Sequence, residues 1–400
     1  MNLLIATDTC SADKERALDK IRKKHTVNPQ QKFFRLLIEG LSLQQNVATT
    51  VLSALPVSAS TVKKKIFSYE EEHIGTAVYH YIPFVNGKIF RYFTTILSSA
   101  KEIKKWSSSH DSKKSLVLTD PLVPIVSIPT RINAQRKGYR VGALVTDIPS
   151  LSSNMKGRKD SFAKRIFMNI YQRISDKDLT KYDFYITLTE SLNDAVNPDN
   201  LPYCVIEGFA DSKDKTVSNM HENYVMYAGG VYEKFGVRSL VEAFCRIERD
   251  DLELWIYGDG PYVDDVKAAS TKDGRIKYKG CVSAEEVVEK EKHALLLVNP
   301  RPTKEEFAKY SFPSKTMEYL LSGTATVSTR LPGIPNEYFN YLYAFDGDDT
   351  DSIEKGMRDI LELPLEELIK RGYEGHDFVM NEKNNTVMAK KMISFFEHIL

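Results

Sequence analysis

The segment at residues 310–323, YSFPSKTMEYLLSG, combines a helix start with charged side chains spaced for binding an anion and a sugar. Pro313 suits the first turn of a helix, where unpaired backbone amides attract an anion. Lys315 adds a positive charge beside those amides. Glu318 lies about one turn further along, where its carboxylate could accept hydrogen bonds from a sugar diol.

Two glycine-containing loops follow the first two predicted strands of the second half of the chain. The first contains Gly229, Gly230 and Lys234, and the second contains Gly258 and Gly260. Glycine after a parallel strand lets the backbone approach a ligand closely, and the next helix favours an anion. Neither loop matches the nucleotide-binding motifs GxGxxG or Walker A. Each loop alone is therefore equally well interpreted as a tight strand-to-helix turn or as a phosphate-binding loop. Two such loops in one domain favour a ligand at the carboxyl ends of the strands.

Apolar, β-rich segments alternate with helical patterns along the whole chain, which predicts an α/β fold with parallel sheets. The predicted strands are Asn2–Ala6, Ala48–Ala54, Ala77–Ile82, Ser115–Leu118, Arg140–Val145, Phe184–Leu188, Tyr224–Tyr227, Leu252–Tyr257, Arg275–Tyr278, Ala294–Val298 and Thr324–Ser328. The predicted helices include Gln31–Leu43, Phe90–Trp106, Ser161–Ile174, Val237–Ile247 and Asn385–Leu400.

The length of 400 residues predicts two domains, since one core rarely serves more than about 250–300 residues. The polar, non-periodic segment Glu207–Asn223 is the predicted linker. We therefore expect doubly wound domains at residues 1–207 and 208–400. The last helix, residues 385–400, has an apolar face that needs a surface, and the first domain is one candidate for that surface.

The two halves of the chain differ in charge. Residues 1–200 carry 30 basic and 19 acidic side chains, a net of +11, whereas residues 201–400 carry 25 and 35, a net of −10. A basic half suggests contact with an anionic surface, either nucleic acid or a membrane leaflet. No nucleic-acid motif accompanies the basic residues, which favours the membrane. The basic amphipathic pattern at Ser161–Ile174 fits both a membrane-surface helix and an ordinary core-facing helix.

Composition indicates a cytoplasmic protein, with peripheral attachment to the inner leaflet as an open alternative. No apolar run approaches the roughly 18–20 residues of a spanning helix, and the apolar start is too short for a signal peptide. Four scattered cysteines argue against disulfides and zinc sites. Eight histidines without ligand spacing argue against a metal centre.

The chain resembles the family 4 retaining glycosyltransferases of the GT-B fold, especially those of bacterial capsule and exopolysaccharide synthesis. The resemblance is strongest over Tyr224–Pro332. Family members carry two Glu residues separated by seven residues, and the second, which holds the nucleotide ribose, is Glu318 here. Tyr310 replaces the first, which holds donor-sugar hydroxyls, and Ser311 and Pro313 replace the motif's two glycines. A subset of the family has this form with F/L-P-S-K, so the departure is compatible with activity.

The resemblance also implies roles for the glycine loops. The first loop is similar to a diphosphate loop, G-R-L-x-x-x-K-G, with Gly230 at the Arg position and the lysine offset to Lys234. The segment around Cys281 and Val282 is similar to a turn whose backbone reads the base. The donor-binding residues implied are Gly229, Gly230, Gly258, Gly260, Cys281, Val282, Tyr310, Ser311, Phe312, Ser314 and Glu318.

By this resemblance the protein is a hexosyltransferase with two Rossmann-like domains facing across a cleft. The family's reaction retains anomeric configuration and needs neither metal nor cofactor. Lys234 and Lys315 would stabilise the departing phosphate, with Asp147 as an acceptor-side polar group. The implied donor is a nucleotide-sugar, with UDP-sugars favoured. The implied acceptor is a glycan or a polyprenyl-diphosphate-linked sugar at an anionic membrane surface, and nucleic acid is not expected.

Two rival functions stay open at this point, and one tempting motif is set aside. Loss of the first Glu and of the diphosphate Arg suggests a non-catalytic subunit of a glycosyltransferase complex. A sugar-nucleotide epimerase of the same fold is the second rival. The acidic run at residues 346–349, DGDD, resembles a metal-binding D-x-D, but a solvated loop with a helix N-cap is the more frequent reading of such a run.

Overall fold

A computed structural model describes residues 1–23, 29–87, 89–148, 162–218 and 220–400, and only the backbone of residues 162–165, 167 and 168. The chain divides into two compact units. Unit 1 comprises Met1–Phe209 together with Asn385–Leu400, and unit 2 comprises Ala210–Asn384.

Unit 1 alternates strands and helices in most of its length. Its strands are β1 (Asn2–Thr7), β2 (Ala48–Ser53), β3 (Ile66–Phe67), β4 (Glu70–Ile74), β5 (Ala77–Tyr81), β6 (Phe84–Val85), β7 (Ser115–Thr119), β8 (Arg140–Val145), β9 (Phe184–Thr187) and β10 (Tyr203–Val205). Its helices are α1 (Ala12–Asp19), α2 (Pro29–Ser42), α3 (Phe90–Ser109), α4 (Pro124–Gln135), α5 (Phe162–Leu179), α6 (Glu190–Val196) and, at the end of the chain, α14 (Asn385–Ile399).

The main sheet of unit 1 has the order β10-β9-β8-β7-β1-β2-β5-β4 among the described residues. All its neighbouring strands are parallel except β4, which runs antiparallel to β5. The strands β3 and β6 form a separate antiparallel ribbon. Strands such as β7 are buried throughout, which explains why they read as continuous apolar runs in the sequence.

Unit 2 repeats the architecture with a smaller sheet. Its strands are β11 (Tyr224–Ala228), β12 (Glu253–Tyr257), β13 (Ile276–Gly280), β14 (Leu296–Asn299), β15 (Thr326–Ser328) and β16 (Tyr343–Ala344). Its helices are α7 (Val237–Phe244), α8 (Val263–Lys272), α9 (Ala284–His293), α10 (Phe307–Tyr310), α11 (Ser314–Ser322), α12 (Thr350–Leu361) and α13 (Leu365–Glu382). The sheet order is β13-β12-β11-β14-β15-β16, and its pairings are parallel.

The terminal helix α14 packs on α2 of unit 1. Met392 and Phe396 of α14 are fully buried in the same apolar core as Phe34 of α2. The two helices approach closely because Gly40 has no side chain, since a Cβ there would lie 2.2 Å from the carbonyl oxygen of Asn385. The surface that the apolar face of this helix requires is therefore supplied by unit 1.

Candidate functional site

The two glycine loops follow β11 and β12, and they pack on each other. The N–H of Gly258 donates to the carbonyl of Gly280 at 2.8 Å. Gly258 has φ of +127°, and a Cβ there would lie 1.8 Å from the carbonyl oxygen of Gly229. A Cβ on Gly260 would lie 2.2 Å from the carbonyl oxygen of Val231. Loop-to-loop contact therefore requires glycine at positions 258 and 260, whatever ligand the loops bind.

The first loop ends against β14. After Gly230 the chain makes a short 3-10 turn, Glu233–Phe235, and Gly236 follows in a left-handed conformation with φ of +80°. A Cβ on Gly236 would lie 1.9 Å from the carbonyl oxygen of Pro300. This contact places the turn that carries Lys234 directly against the segment leaving β14.

Two positive charges lie over one pair of aromatic rings in this region. The rings of Phe235 and Phe307 meet edge to face with centroids 5.9 Å apart. The ammonium of Lys234 lies 5.6 Å and 5.9 Å from their centres, and the guanidinium carbon of Arg301 lies 4.9 Å and 5.5 Å from them. Each cation gains from the ring faces, but two like charges over one ring pair repel each other. We call Lys234 and Arg301 the cation pair.

The guanidinium of Arg301 has unusual surroundings for a cation. Its Nε is buried and, within the described ranges, has no hydrogen-bond partner. Burial lowers the pKa of Arg301, and the group that counteracts this is the hydroxyl of Tyr227. No ion pair joins either member of the cation pair to a carboxylate among the residues that the structure describes. Leaving a buried cation without an acceptor is costly, so this arrangement is suited to an anionic ligand.

Arg301 was not among the residues selected from the sequence. It follows β14 by two residues, in Asn299-Pro300-Arg301, and carboxyl ends of parallel strands are where ligands bind. Its place just after a predicted strand could have identified Arg301 from the sequence. The expected diphosphate Arg is absent from Gly230, and the structure places a guanidinium from a different strand beside the same loop.

Lys315 lies between two carboxylates. Its ammonium is 2.7 Å from Glu318 and 3.1 Å from Glu291, a residue of α9 whose side chain is fully buried. Burial alone would lower the pKa of Lys315, but the charges of Glu318 and Glu291 together raise it above its ordinary value. Lys315 therefore stays protonated and holds Glu318 in place. Glu291 was missed by the sequence reasoning because the charged stretch of α9 reads as a solvated helix face.

Helix α11 is tied to the end of β11. The hydroxyl of Tyr319 accepts a hydrogen bond from the N–H of Ala228 at 2.9 Å and lies 3.3 Å from its carbonyl. The helix comprises Ser314–Ser322, so Pro313, predicted in its first turn, is instead the extended residue just before it, and Gly323, with φ of +77°, follows its last residue. This attachment fixes Lys315 and Glu318 relative to the first glycine loop.

The remaining motif residues have varied surroundings. Phe312 is buried, with its ring 5.2 Å from that of Tyr338, and Ser311 donates to the carbonyl of Phe307. Ser314 is exposed at the first helical position, and Tyr310 is half-buried at the end of α10. Phe312 thus belongs to the core, while the others lie at the surface near the start of α11.

The proposed base-reading turn follows β13. Cys281 is exposed, whereas Val282 is half-buried against the cluster that contains Tyr257 and Tyr319. Gly280, just before it, has φ of +80°. The backbone at this turn is therefore fixed by a left-handed residue on one side and apolar packing on the other.

Asp147 lies in unit 1, two residues after β8, and its carboxylate accepts a hydrogen bond from the N–H of Ile148. Two further aspartates, Asp8 and Asp120, follow the neighbouring strands β1 and β7. All three stand in a Thr-Asp pair directly after an apolar run, a repetition that the sequence reasoning did not use. Burial, with the charge of Asp8 added, raises the pKa of Asp120 to about 8.

The acidic run at residues 346–349 caps a helix, as predicted. Asp349 accepts a hydrogen bond from the N–H of Ser352 at the start of α12. Asp348 accepts from both the N–H and the hydroxyl of Thr303, which lowers its pKa. Over the described ranges of the chain, no group of three or more His, Cys, Asp or Glu residues is arranged to hold a metal ion.

Residues 222–362 match the model of a family described as glycosyl transferases group 1. That region contains both glycine loops, the cation pair and α11. No curated protein sequence matches the chain significantly.

Solved structures match the chain along its whole length. A sucrose-phosphate synthase from Thermosynechococcus elongatus is 13% identical with a TM-score of 0.65, covering 100% of this chain and 98% of that one. The fold is GT-B. The lipopolysaccharide outer core galactosyltransferase WaaB is 12% identical with a TM-score of 0.63, and both chains are covered completely. Anabaena HepE, solved in complex with UDP, is 11% identical with a TM-score of 0.61, again with complete coverage of both chains.

Proposed function

We propose that the protein is a retaining hexosyltransferase of the family 4 type, which moves a sugar from a nucleotide-sugar donor, with a UDP-sugar favoured, without a metal ion. The observation that carries the proposal is the cation pair. Lys234 and Arg301 stand beside the glycine loops with no carboxylate bound to them in the described residues. A diphosphate supplies the negative charges that such a pair needs. The group 1 glycosyl transferase match over the same region supports this assignment.

Each part of the donor has a candidate partner in unit 2. The cation pair binds the diphosphate and stabilises the charge that develops on it as the sugar leaves. Glu318, held by Lys315, accepts hydrogen bonds from the ribose diol. The turn at Cys281 and Val282 offers its backbone to the base. The expectation that Lys315 itself contacts phosphate stays a prediction. The ammonium of Lys315 lies between two carboxylates, which favours a role in holding Glu318.

The acceptor is proposed to be a glycan or a polyprenyl-diphosphate-linked sugar in bacterial surface polysaccharide synthesis, bound by unit 1. The full-length similarity to the galactosyltransferase WaaB and the basic first half of the chain support this choice. Asp147 is proposed as an acceptor-side polar group. Within the described parts of the chain, no helix is both long and apolar enough to cross a bilayer. We propose a protein of the cytoplasm that reaches its acceptor at the inner leaflet.

Calorimetric titration with UDP and with uridine tests the donor assignment. Lys234→Met and Arg301→Met should each weaken UDP binding roughly ten-fold or more, because each removes a charge-assisted contact of about 1.5–3 kcal/mol. Uridine, which lacks phosphate, should bind all variants alike. Arg371→Met is the matched control, since Arg371 of α13 also lies over an aromatic ring, that of Tyr343 at the start of β16, at 5.1 Å. Unchanged UDP affinity in both test variants would show that the diphosphate binds elsewhere.

Transfer assays separate this function from its rivals. The enzyme should release UDP in the presence of an acceptor, and EDTA should leave the rate unchanged. Loss of activity in EDTA, restored by Mg²⁺ or Mn²⁺, would refute the metal-free mechanism. Conversion of the donor into an isomeric sugar nucleotide without acceptor would identify an epimerase. UDP binding without turnover of any sugar donor would indicate a non-catalytic subunit.

A further inference from the structure

Helix α3 of unit 1 presents large apolar side chains to solvent. Ile89, just before the helix, and Phe90, Phe93 and Leu97 within it are 67%, 69%, 64% and 69% exposed. Phe90, Phe93 and Leu97 are three and four residues apart, and Ile89 lies four residues before Phe93, so these side chains share one side of the helix. We call these four residues the α3 face. Contiguous exposed apolar side chains of this size mark an interaction surface more often than isolated ones do.

The opposite side of the same helical turns is polar and buried. Thr95 and Ser99 are fully buried, and Ser98 donates to the carbonyl of Pro83 at 2.7 Å. Helix α3 packs on α4, whose buried residues include Ser127 and Thr130. A helix on the surface of a globular domain normally buries its apolar side and exposes its polar side. The first half of α3 has the reverse arrangement, so its orientation cannot be explained by burial of its apolar residues within unit 1.

The neighbouring elements extend this surface. In the β3–β6 ribbon Ile66 is 67% exposed, and the N–H of Val85 donates to Thr94 of α3 at 3.1 Å. Helix α5 contacts α3 through the rings of Tyr92 and Tyr171, whose centroids are 6.2 Å apart. On α5 the exposed apolar residues again recur at four-residue spacing, namely Ile166, Ile170 and Ile174.

Exposed basic side chains accompany the α3 face on the ribbon and on the helix itself. Residues 63–65 are three exposed lysines directly before Ile66, and Lys101, Lys104 and Lys105 are exposed on the following turns of α3. An anionic lipid surface attracts such lysines while its interior accepts the apolar side chains. A second copy of the chain on this face would bring like-charged lysines together across a two-fold axis, which opposes dimerisation.

We propose that the α3 face is the surface by which unit 1 inserts into the headgroup region of an anionic bilayer. This inference deepens the proposed function, since it rests on a lipid-linked acceptor, and it locates the contact on α3 and the β3–β6 ribbon. Sequence reasoning placed the contact on the basic helical pattern at Ser161–Ile174; residues 158–161 lie outside the described residues, and the described part of the pattern belongs to α5.

Co-sedimentation of the full chain with lipid vesicles tests the proposal. The wild type should bind vesicles that contain phosphatidylglycerol and bind pure phosphatidylcholine more weakly. The pair Phe93→Gln and Leu97→Gln should lower the apparent affinity roughly ten-fold or more, because two large apolar groups no longer leave water. Leu365→Gln is the matched control, since Leu365 is 51% exposed in unit 2, and it should bind as the wild type does.

Three results would overturn the proposal: no binding of the wild type to anionic vesicles at low salt, equal binding of the double variant, or a solution dimer that the double variant dissociates. Light scattering measures the last of these.

UDP titration of the same samples distinguishes the membrane proposal from the proposed function. Lost vesicle binding with intact UDP binding is the expected behaviour of the double variant. Failure of the wild type to bind UDP would instead refute the proposed function.

Discussion

Replacing Lys315 by Met tests whether this residue serves the ligand or the carboxylates around it. The ammonium of Lys315 lies 3.1 Å from Glu291, whose side chain is 0% exposed, and 2.7 Å from Glu318, whose side chain is 20% exposed. Removing one member of a buried ion pair typically costs about 3–5 kcal/mol. A partly exposed pair on one helix contributes only about 0.3–0.5 kcal/mol. The contact with Glu291 should therefore dominate the loss.

We expect Lys315→Met to lower the free energy of unfolding by about 3 kcal/mol, the lower end of that range, because Lys315 is itself partly exposed. The double variant Glu291→Gln with Lys315→Met removes the buried charge as well and should recover most of the loss. Urea denaturation at neutral pH measures both, with equal denaturant slopes required for the comparison. A double variant as unstable as the single one would refute the reasoning.

The stable double variant then isolates the role of Lys315 in binding. If Lys315 acts mainly by holding Glu318, UDP affinity should fall much less than in Arg301→Met. A loss as large as that of Arg301→Met would instead place the ammonium of Lys315 on the diphosphate, as the resemblance implies.

Two further predictions concern the loops and the aspartates. Gly258→Ala should lower the free energy of unfolding by about 2 kcal/mol or more in urea denaturation, because its Cβ would overlap Gly229. The control Gly274→Ala should cost about 1 kcal/mol or less, because no atom lies within 4 Å of a Cβ at that position. Asp120 keeps its proton in the folded chain up to about pH 8, whereas in the unfolded chain it loses its proton near pH 4. Its contribution to the free energy of unfolding is therefore complete below about pH 4 and is lost as the pH rises towards 8. Asp120→Asn cannot ionise, so its free energy of unfolding should fall less between about pH 5 and 8 than that of the wild type, and equal slopes would contradict the shifted pKa.

The alternation of apolar strand segments with helical patterns predicted most of the fold from the sequence. Buried parallel strands such as Arg140–Val145 are continuous apolar runs, and the structure has that strand with the predicted bounds. Strand β4 was missed because its sequence, EEEHI, is polar and lies at the edge of the sheet. The short ribbon of β3 and β6 was missed because two-residue strands carry no periodicity.

The site was predictable where one segment carried it and unpredictable where distant segments meet. Helix α11 begins directly after Pro313, within one residue of the predicted start, since a helix start depends on neighbouring residues alone. Arg301 shares its aromatic rings with Lys234, 67 positions earlier in the chain, and no local pattern reveals such a meeting. The reversed polarity of α3 was hidden for a related reason, because a helical pattern shows that one face is apolar without showing which face the fold will bury.

The return of α14 to unit 1 makes unit 2 an insertion in a discontinuous domain. The chain enters unit 2 at Ala210 and leaves it at Asn384, and these two residues pair as neighbours in a parallel bridge. The N–H of Ala210 also donates to the carbonyl of Lys383 at 2.9 Å. Entry and exit at one point are the geometry that tolerates a domain insertion, because the inserted unit interrupts its host at a single position. A fragment ending at Phe209, in contrast, would lack the helix that completes its own core.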